Sequence, residues 1–233
     1  MGTYKTGHGP TAMAFDGQNV WVANSGSNST TKIRTRDGAV IGTFPVGTTP
    51  DGIAFDGANV WVANGFGDSI TKLRAQDGHV LGTFPTGKEP SCVAFDGANV
   101  WVNNFAGGSV TKLRASDGAN LGEFLVGPGA EAIAYDGAHM WITSTGDNSV
   151  RKLRVSDGKV LGTFPVGQTP SGAVFDGESM WITNYGSDTI IKLRISDGAV
   201  QGSFATGSEP LVPAFDGANI WVPNSEDNSV SKM

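Results

Sequence analysis

The stretch AFDGANVWVAN (Ala54–Asn64) returns forty residues later as AFDGANVWVNN (Ala94–Asn104). A self-similar period of this length is the signature of a repeat architecture, so the repeat is followed along the chain before anything else. Its aromatic marker falls at Phe15, Phe55, Phe95, Tyr135, Phe175 and Phe215, and its tryptophan at Trp21, Trp61, Trp101, Trp141, Trp181 and Trp221. The spacing never changes. Pro10, Pro50, Pro90, Pro170 and Pro210 keep the same step, with Gly129–Ala130 in the fourth place.

Each unit divides into four short β-type runs. In the second they are 52–55, 59–63, 69–74 and 80–85, with Asp56–Gly57 after the first and Asp77–Gly78 after the third. Asp-Gly pairs supply the positive φ angles of tight hairpins, and no run has helical periodicity. Four antiparallel strands per unit of about 40 residues is the pattern of a propeller blade. The expected fold is therefore all-β: a six-bladed β-propeller in one domain, residues 1–233. The chain stops at Lys232–Met233, inside a third run, whereas MGTYKTGHGP (residues 1–10) aligns with a fourth run and its exit loop. Residues 1–10 are thus expected to supply the outer strand of the sixth blade and close the ring, which leaves no unpaired edge.

Composition bounds the class. Of 233 residues, 34 are glycine, 39% are hydrophobic and 16% are charged, a globular balance. No apolar run approaches the roughly 20 residues that span a bilayer, so no membrane partner is expected. The N-terminus carries no signal-peptide pattern, and the single cysteine, Cys92, excludes an internal disulfide.

The P-x-G-I-A-F-D-G-x-x-V-W-V-A-N pattern, with S-x-T-K-L after it, resembles the YVTN/NHL class of propeller repeats. It is also similar to the streptogramin (virginiamycin B) lyase group. That resemblance covers the whole chain and implies an exported bacterial protein. For the lyases it implies a catalytic histidine directly after the repeat proline, with magnesium nearby. The matching positions here are Thr11, Asp51, Ser91, Glu131, Ser171 and Leu211, none of them histidine.

Blades compared with one another show where architecture does not dictate the residue. The turns after the first and third runs are nearly constant. The loops after the second and fourth runs vary, and both lie at the opposite end of each blade, here called the top. Variable loops on a rigid scaffold are the usual home of function. Charge follows the same division. Eleven acids and eleven bases belong to the repeat and cancel, so the net charge of −6 comes from the other residues. Nine of the remaining acids fall in top loops: Asp51, Asp68, Glu89, Glu131, Asp147, Asp188, Glu209, Glu226 and Asp227. An acidic top face repels polyanions, so nucleic acid is not an expected partner.

Several residues are candidates for a site on this face. Asn24, Asn64, Asn104, Asn184 and Asn224 end the second runs, where they either form a polar ring or satisfy local backbone. Asp51 and Glu131 begin first runs and are candidate ligands for Ca²⁺ or Mg²⁺. Phe66, Phe105 and Tyr185 are loop aromatics suited to sugar stacking or cation capture, or else to packing on their own blade. Cys92 and His8 sit on different blades and are not expected to pair as a nucleophile and base. His79 and His139 fall on bottom turns as surface residues. The expected function is a monomeric, non-catalytic binding or scaffold module for a small molecule, carbohydrate or protein. A metal-dependent lyase or hydrolase in the same top pocket is the alternative.

Overall fold

The computed structural model describes residues 2–233. Twenty-three strands form six sheets. Strands β1–β4 (Pro10–Phe15, Asn19–Asn24, Ser29–Arg34, Val40–Pro45) make the first sheet, and β5–β8 (Pro50–Phe55, Asn59–Asn64, Ser69–Arg74, Val80–Pro85) the second. Strands β9–β12 (Pro90–Phe95, Asn99–Asn104, Ser109–Arg114, Asn120–Leu125) make the third, and β13–β16 (Ala130–Tyr135, His139–Ser144, Ser149–Arg154, Val160–Pro165) the fourth. Strands β17–β20 (Pro170–Phe175, Ser179–Asn184, Thr189–Arg194, Val200–Ala205) make the fifth. The sixth has only β21–β23 (Ala214–Phe215, Ile220–Asn224, Ser229–Lys232). All neighbours are antiparallel and in chain order, and the fold is a six-bladed β-propeller. Among the described residues the only helical elements are single 3₁₀ turns, at Ser25–Ser27, Gly65–Gly67 and Tyr185–Ser187. Among the described residues no helix is long and apolar enough to cross a membrane.

By packing, the chain divides into two compact units, residues up to Glu123 and from Phe124 onward. In the first unit, Trp21 and Ala23 of one blade pack on Ile53, Val60, Val62 and Leu73 of the next. Trp61, Ala63 and Ile70 repeat that contact on Val100, Val102 and Leu113. In the second unit, Trp141 and Val150 pack on Met180, Ile182 and Leu193. Each blade therefore has a leading face of aliphatic residues and a trailing face built around tryptophan.

A polar device at the bottom of each blade fixes that tryptophan. Asp96 accepts hydrogen bonds from the Trp101 indole N–H at 2.8 Å, the Asn99 backbone N–H at 2.6 Å and the Asn99 side chain. Burial favours the neutral acid there, but the Trp101 indole and the Ala98 and Asn99 donors outweigh it and hold the Asp96 carboxyl below its ordinary range. In the fourth blade His139 takes the asparagine's place, its Nδ1 lying 3.3 Å from Asp136 Oδ2. His139 is on the bottom turn as expected, but half-buried against Asp136 rather than a surface residue. Lys32 Nζ stands 5.2 Å over the Trp21 ring and donates to the Ala75 and Gln76 carbonyls of the next blade. The buried ammonium is paired with carbonyls and a ring face rather than with an acid.

The strand limits differ from expectation at two places. First strands begin at the proline, with an irregular register between Pro50 and Ile53, and second strands run on to the asparagine. The expected fourth strand of the sixth blade is a larger difference. Residues 2–9 carry no assigned strand, and within the second unit β23 pairs with β22. A strand exists only where its backbone donors meet a partner. The Tyr4 ring packs on Gly38 of the first blade as Phe44 of β4 packs on Gly78 of the second and Phe84 of β8 on Gly118 of the third, the contact that a preceding blade's outer strand makes. Met1 lies outside the described residues.

Candidate functional site

The top loops are locked to each other through backbone conformation. Asn28, Asp68, Asn148 and Asp188, in the loops before third strands, all have φ between 44° and 53°. Thr49, Glu89, Thr169 and Glu209, in the loops before first strands, have φ between 49° and 55°. This left-handed region costs roughly 1–2 kcal/mol for a residue with a Cβ, and Gly9, Gly108 and Gly129 take the equivalent places elsewhere. The two sets are joined in pairs. Asn28 Oδ1 accepts the Thr49 N–H at 2.8 Å, Asp68 that of Glu89 at 2.9 Å, Asn148 that of Thr169 at 2.9 Å and Asp188 that of Glu209 at 2.9 Å. From the other side, the Thr49 and Glu209 carbonyls accept the N–H of Gly65 and Ser225. Asp68 and Asp188 are therefore turn acids. The interlock joins residues 21 apart, and its trace in the sequence is the Asn/Asp/Gly alternation at every fortieth place.

The asparagines that end the second strands lie inside the blades. Asn24, Asn64, Asn104 and Asn184 are wholly buried and Asn224 is 2% exposed. Asn64 Nδ2 donates to Ser69 Oγ and Thr71 Oγ1, and its Oδ1 accepts the Gly47 N–H at 2.9 Å. For Asn64 this is the local backbone role; the Oδ1 atoms of Asn24, Asn104, Asn184 and Asn224 are buried with no hydrogen-bond partner among the described residues. The fourth blade has Ser144 instead. There Arg151, where most other blades carry Thr or Ser, fills the space and donates to Asp147 and Ser149. The Arg151 guanidinium holds the Asp147 carboxyl at about 2. Two departures from the repeat in one blade are the sequence signal for this pair.

At the start of the first strands, Thr11 Oγ1 donates to the Pro50 and Asp51 carbonyls, and Ser171 Oγ to the Pro210 carbonyl at 2.7 Å. The Asp51 side chain keeps contact with solvent but has no hydrogen bond or ion pair among the described residues. The surrounding protein pushes its carboxyl above the ordinary range. Glu131 is half-buried. Among the described residues no three His, Cys, Asp or Glu side chains converge to hold a metal.

The aromatics divide. Phe66 is 74% exposed and Phe105 is exposed at the rim of its loop. Tyr185 is half-buried, and the nearby Glu209 carboxylate raises the phenol's pKa. Ser225 Oγ reaches the same carboxylate at 3.3 Å, with Glu226 close enough to add to the field. Tyr185, Glu209 and Ser225 thus form one polar cluster in the second unit; Ser225 was not among the sequence candidates. Cys92 forms no disulfide and is half-buried in β9. His8 is held in its loop by Ser27 Oγ, which accepts its N–H.

No protein-family model matches the sequence, and no curated protein sequence matches it. Solved structures share the fold. Streptogramin B lyase aligns with a TM-score of 0.79 at 18% identity, over 99% of this chain and 84% of that one. A functionally unknown protein from Desulfotomaculum acetoxidans aligns at 0.80 and 15% identity, over 93% and 78%. Kuenenia stuttgartiensis hydrazine synthase aligns at 0.66 and 15% identity, over 100% and 97%. These likenesses concern the propeller itself.

Proposed function

We propose that the protein is a non-catalytic binding module, one propeller whose top loops present an acidic surface to a small molecule, a carbohydrate or a protein. One observation supports this most: the loops are fixed by main-chain and Asn/Asp contacts that leave the outward side chains free to vary. Such pre-organisation lowers the entropic cost of binding. Phe66 and Phe105 offer stacking area, and the Tyr185–Glu209–Ser225 cluster offers directed acceptors and donors. Acidic loops select against nucleic acid.

The runner-up is a metal-assisted lyase or hydrolase using Asp51 and Glu131 with Mg²⁺ or Ca²⁺. It is favoured by the likeness to streptogramin B lyase and by the unpaired Asp51 carboxylate. Against it, no histidine stands after any repeat proline.

The two readings separate in one comparison. Thermal-shift titrations with mono- and oligosaccharides are run on the wild type and on Phe66→Ser, Phe105→Ser and Tyr185→Ser, beside incubation of a streptogramin B with the protein and Mg²⁺. The expected result is a stabilising saccharide whose effect drops at least tenfold in one of the variants, and an unchanged antibiotic by mass spectrometry. Conversion of the streptogramin to a ring-opened product would overturn the binding reading.

A further inference from the structure

The bottom turns are the most constant part of the repeat, and one crevice among them departs from it. Where the first and second blades meet, Gln18 of one and Gln76 of the other line an opening of about 340 Å³. The equivalent places between the second and third blades hold Ala58 and Ser116, and those between the fourth and fifth hold Ala138 and Ser196. The lysines fix the correspondence: Lys72 donates to the Ala115 and Ser116 carbonyls as Lys32 does to those of Ala75 and Gln76. Thr35 is a third departure, where the later blades have Ala75, Ala115, Val155 and Ile195. All three lie within the first unit.

The departures act together. The Gln18 N–H donates to Asp16 Oδ1 at 2.9 Å, and the Gln18 carbonyl accepts both the Thr35 N–H at 3.0 Å and the Thr35 hydroxyl at 2.7 Å. The Gln76 carbonyl accepts the Lys32 ammonium at 3.1 Å. Both glutamines are exposed, and their side-chain amides have no hydrogen bond among the described residues. Fixed main chains carrying free amides form a pre-organised arrangement, which lowers the ordering cost of binding.

The lining selects the chemistry of the ligand. Lys32 is 5% exposed, and its ammonium is engaged by two carbonyls and the Trp21 ring. Asp16 accepts the Trp21 indole N–H at 2.8 Å and the Asn19 side chain. These charges are opposite and already partnered, so they present no net charge to an ion. Each glutamine amide offers one carbonyl acceptor and two N–H donors, the set that neighbouring hydroxyls need, since a hydroxyl both gives and accepts. Phe55 is half-buried and walls one side, an apolar surface for the C–H face of a ring. The volume lies at the low end of the roughly 300–1,000 Å³ of small-molecule sites.

We propose that the crevice between Gln18 and Gln76 is a second ligand site, for a neutral polyhydroxylated ring of monosaccharide size. It lies at the opposite end of its blades from the top loops and does not depend on the surface proposed above.

The chain has four glutamines: Gln18, Gln76, Gln168 in a top loop and Gln201 in β20. Labelling with ¹⁵N-glutamine therefore reads the crevice and the top in one NMR spectrum, titrated with glucose, galactose, mannose and N-acetylglucosamine. At least one sugar is expected to give saturable shifts of the Gln18 and Gln76 side-chain amide signals, with Gln201 unmoved. Gln18→Ala and Gln76→Ser install the residues that the next crevice carries, so each variant keeps the fold. Each is expected to weaken the response of the remaining crevice glutamine at least tenfold, and Phe66→Ser in a top loop to leave it unchanged. No saturable shift at Gln18 or Gln76 with any of the four sugars would overturn the proposal. So would a Gln76 response that Gln18→Ala does not weaken. Gln168 reports on the top face separately, so the two sites stand or fall independently.

Discussion

The Asp188 carboxylate accepts the backbone N–H of Glu209 at 2.9 Å, and both residues sit in left-handed conformation, at φ 52° and 55°. One loop's turn residue thereby holds the next loop's turn residue. The same bond recurs between Asn28 and Thr49, Asp68 and Glu89, and Asn148 and Thr169. Strain in both partners persists because the bond and the flanking strands over-determine it. The main chains of Glu89 and Glu209 are then held by the side-chain carboxylates of Asp68 and Asp188 rather than by their own preference.

Removing the acceptor should release the loop. Asp188→Ala is expected to lower stability by about 1 kcal/mol and to speed hydrogen exchange at the Glu209 amide, with little change at Thr49. Relieving strain should act oppositely. Thr49→Asn puts a residue that tolerates the left-handed region in place of a β-branched one, and should stabilise by about 0.5–1 kcal/mol. Chemical denaturation of the two variants checks both signs.

Asp96 binds the wholly buried Trp101 through the indole N–H. Asp96→Ala strands that donor and two backbone N–H groups, which should cost at least about 2 kcal/mol. For a chain of this size that is a fall of roughly 5 °C in melting midpoint. Asp96→Asn keeps an acceptor for the indole, so its loss should be smaller. Calorimetry of the pair separates the hydrogen bond from the packing.

The blade framework was legible because its signals are local. Asp56–Gly57 and Asp77–Gly78 each specify a hairpin within four residues, and the strands between them lie within two residues of expectation. The charge division between repeat and loops was legible for the same reason. The loop interlock was not, because Asn28 and Thr49 are 21 residues apart and each reads alone as an ordinary loop residue. Burial was the other property that the sequence left open. Asn64 looks the same in sequence whether it faces a ligand or the Gly47 amide, and only the packing of the next loop decides.

Ser144 and Arg151 should behave as one unit. Four of the other blades pair Asn with Thr or Ser, as Asn64 does with Thr71 at 3.0 Å, and the fifth has Ile191 at the second place. Ser144→Asn alone crowds the guanidinium, and Arg151→Thr alone leaves Asp147 without its cation. Each single change should destabilise by about 1–2 kcal/mol, while the double change should recover at least about 0.5 kcal/mol relative to their sum. A double-mutant cycle by denaturant titration measures this directly.

The pH profile should show two opposing contributions. Burial resists ionisation of Asp16, Asp96 and Asp176, but their tryptophan and backbone donors prevail and lower the folded pKa below 3.8. Their stabilisation is present above that value and is lost as pH falls through the folded one. Asp51 is raised by burial, so its contribution is favourable below 3.8 and is lost as pH rises through its folded pKa. Asp51→Asn should therefore raise the melting midpoint at pH 7, by less than about 4 °C, and the gain should vanish near pH 3. A gain that persists at pH 3 would place its origin outside ionisation.

The most direct measurement on the binding-module account is thermal unfolding in EDTA, then in Ca²⁺ and in Mg²⁺, for the wild type and for Asp51→Asn/Glu131→Gln. A resident ion at one hundred times its dissociation constant would add roughly 2.7 kcal/mol to stability. The account predicts a wild-type midpoint that neither cation moves, and a double variant that melts higher at neutral pH in every buffer. A midpoint raised by one cation in the wild type and unmoved in the double variant would contradict it, and would make these two carboxylates a metal site.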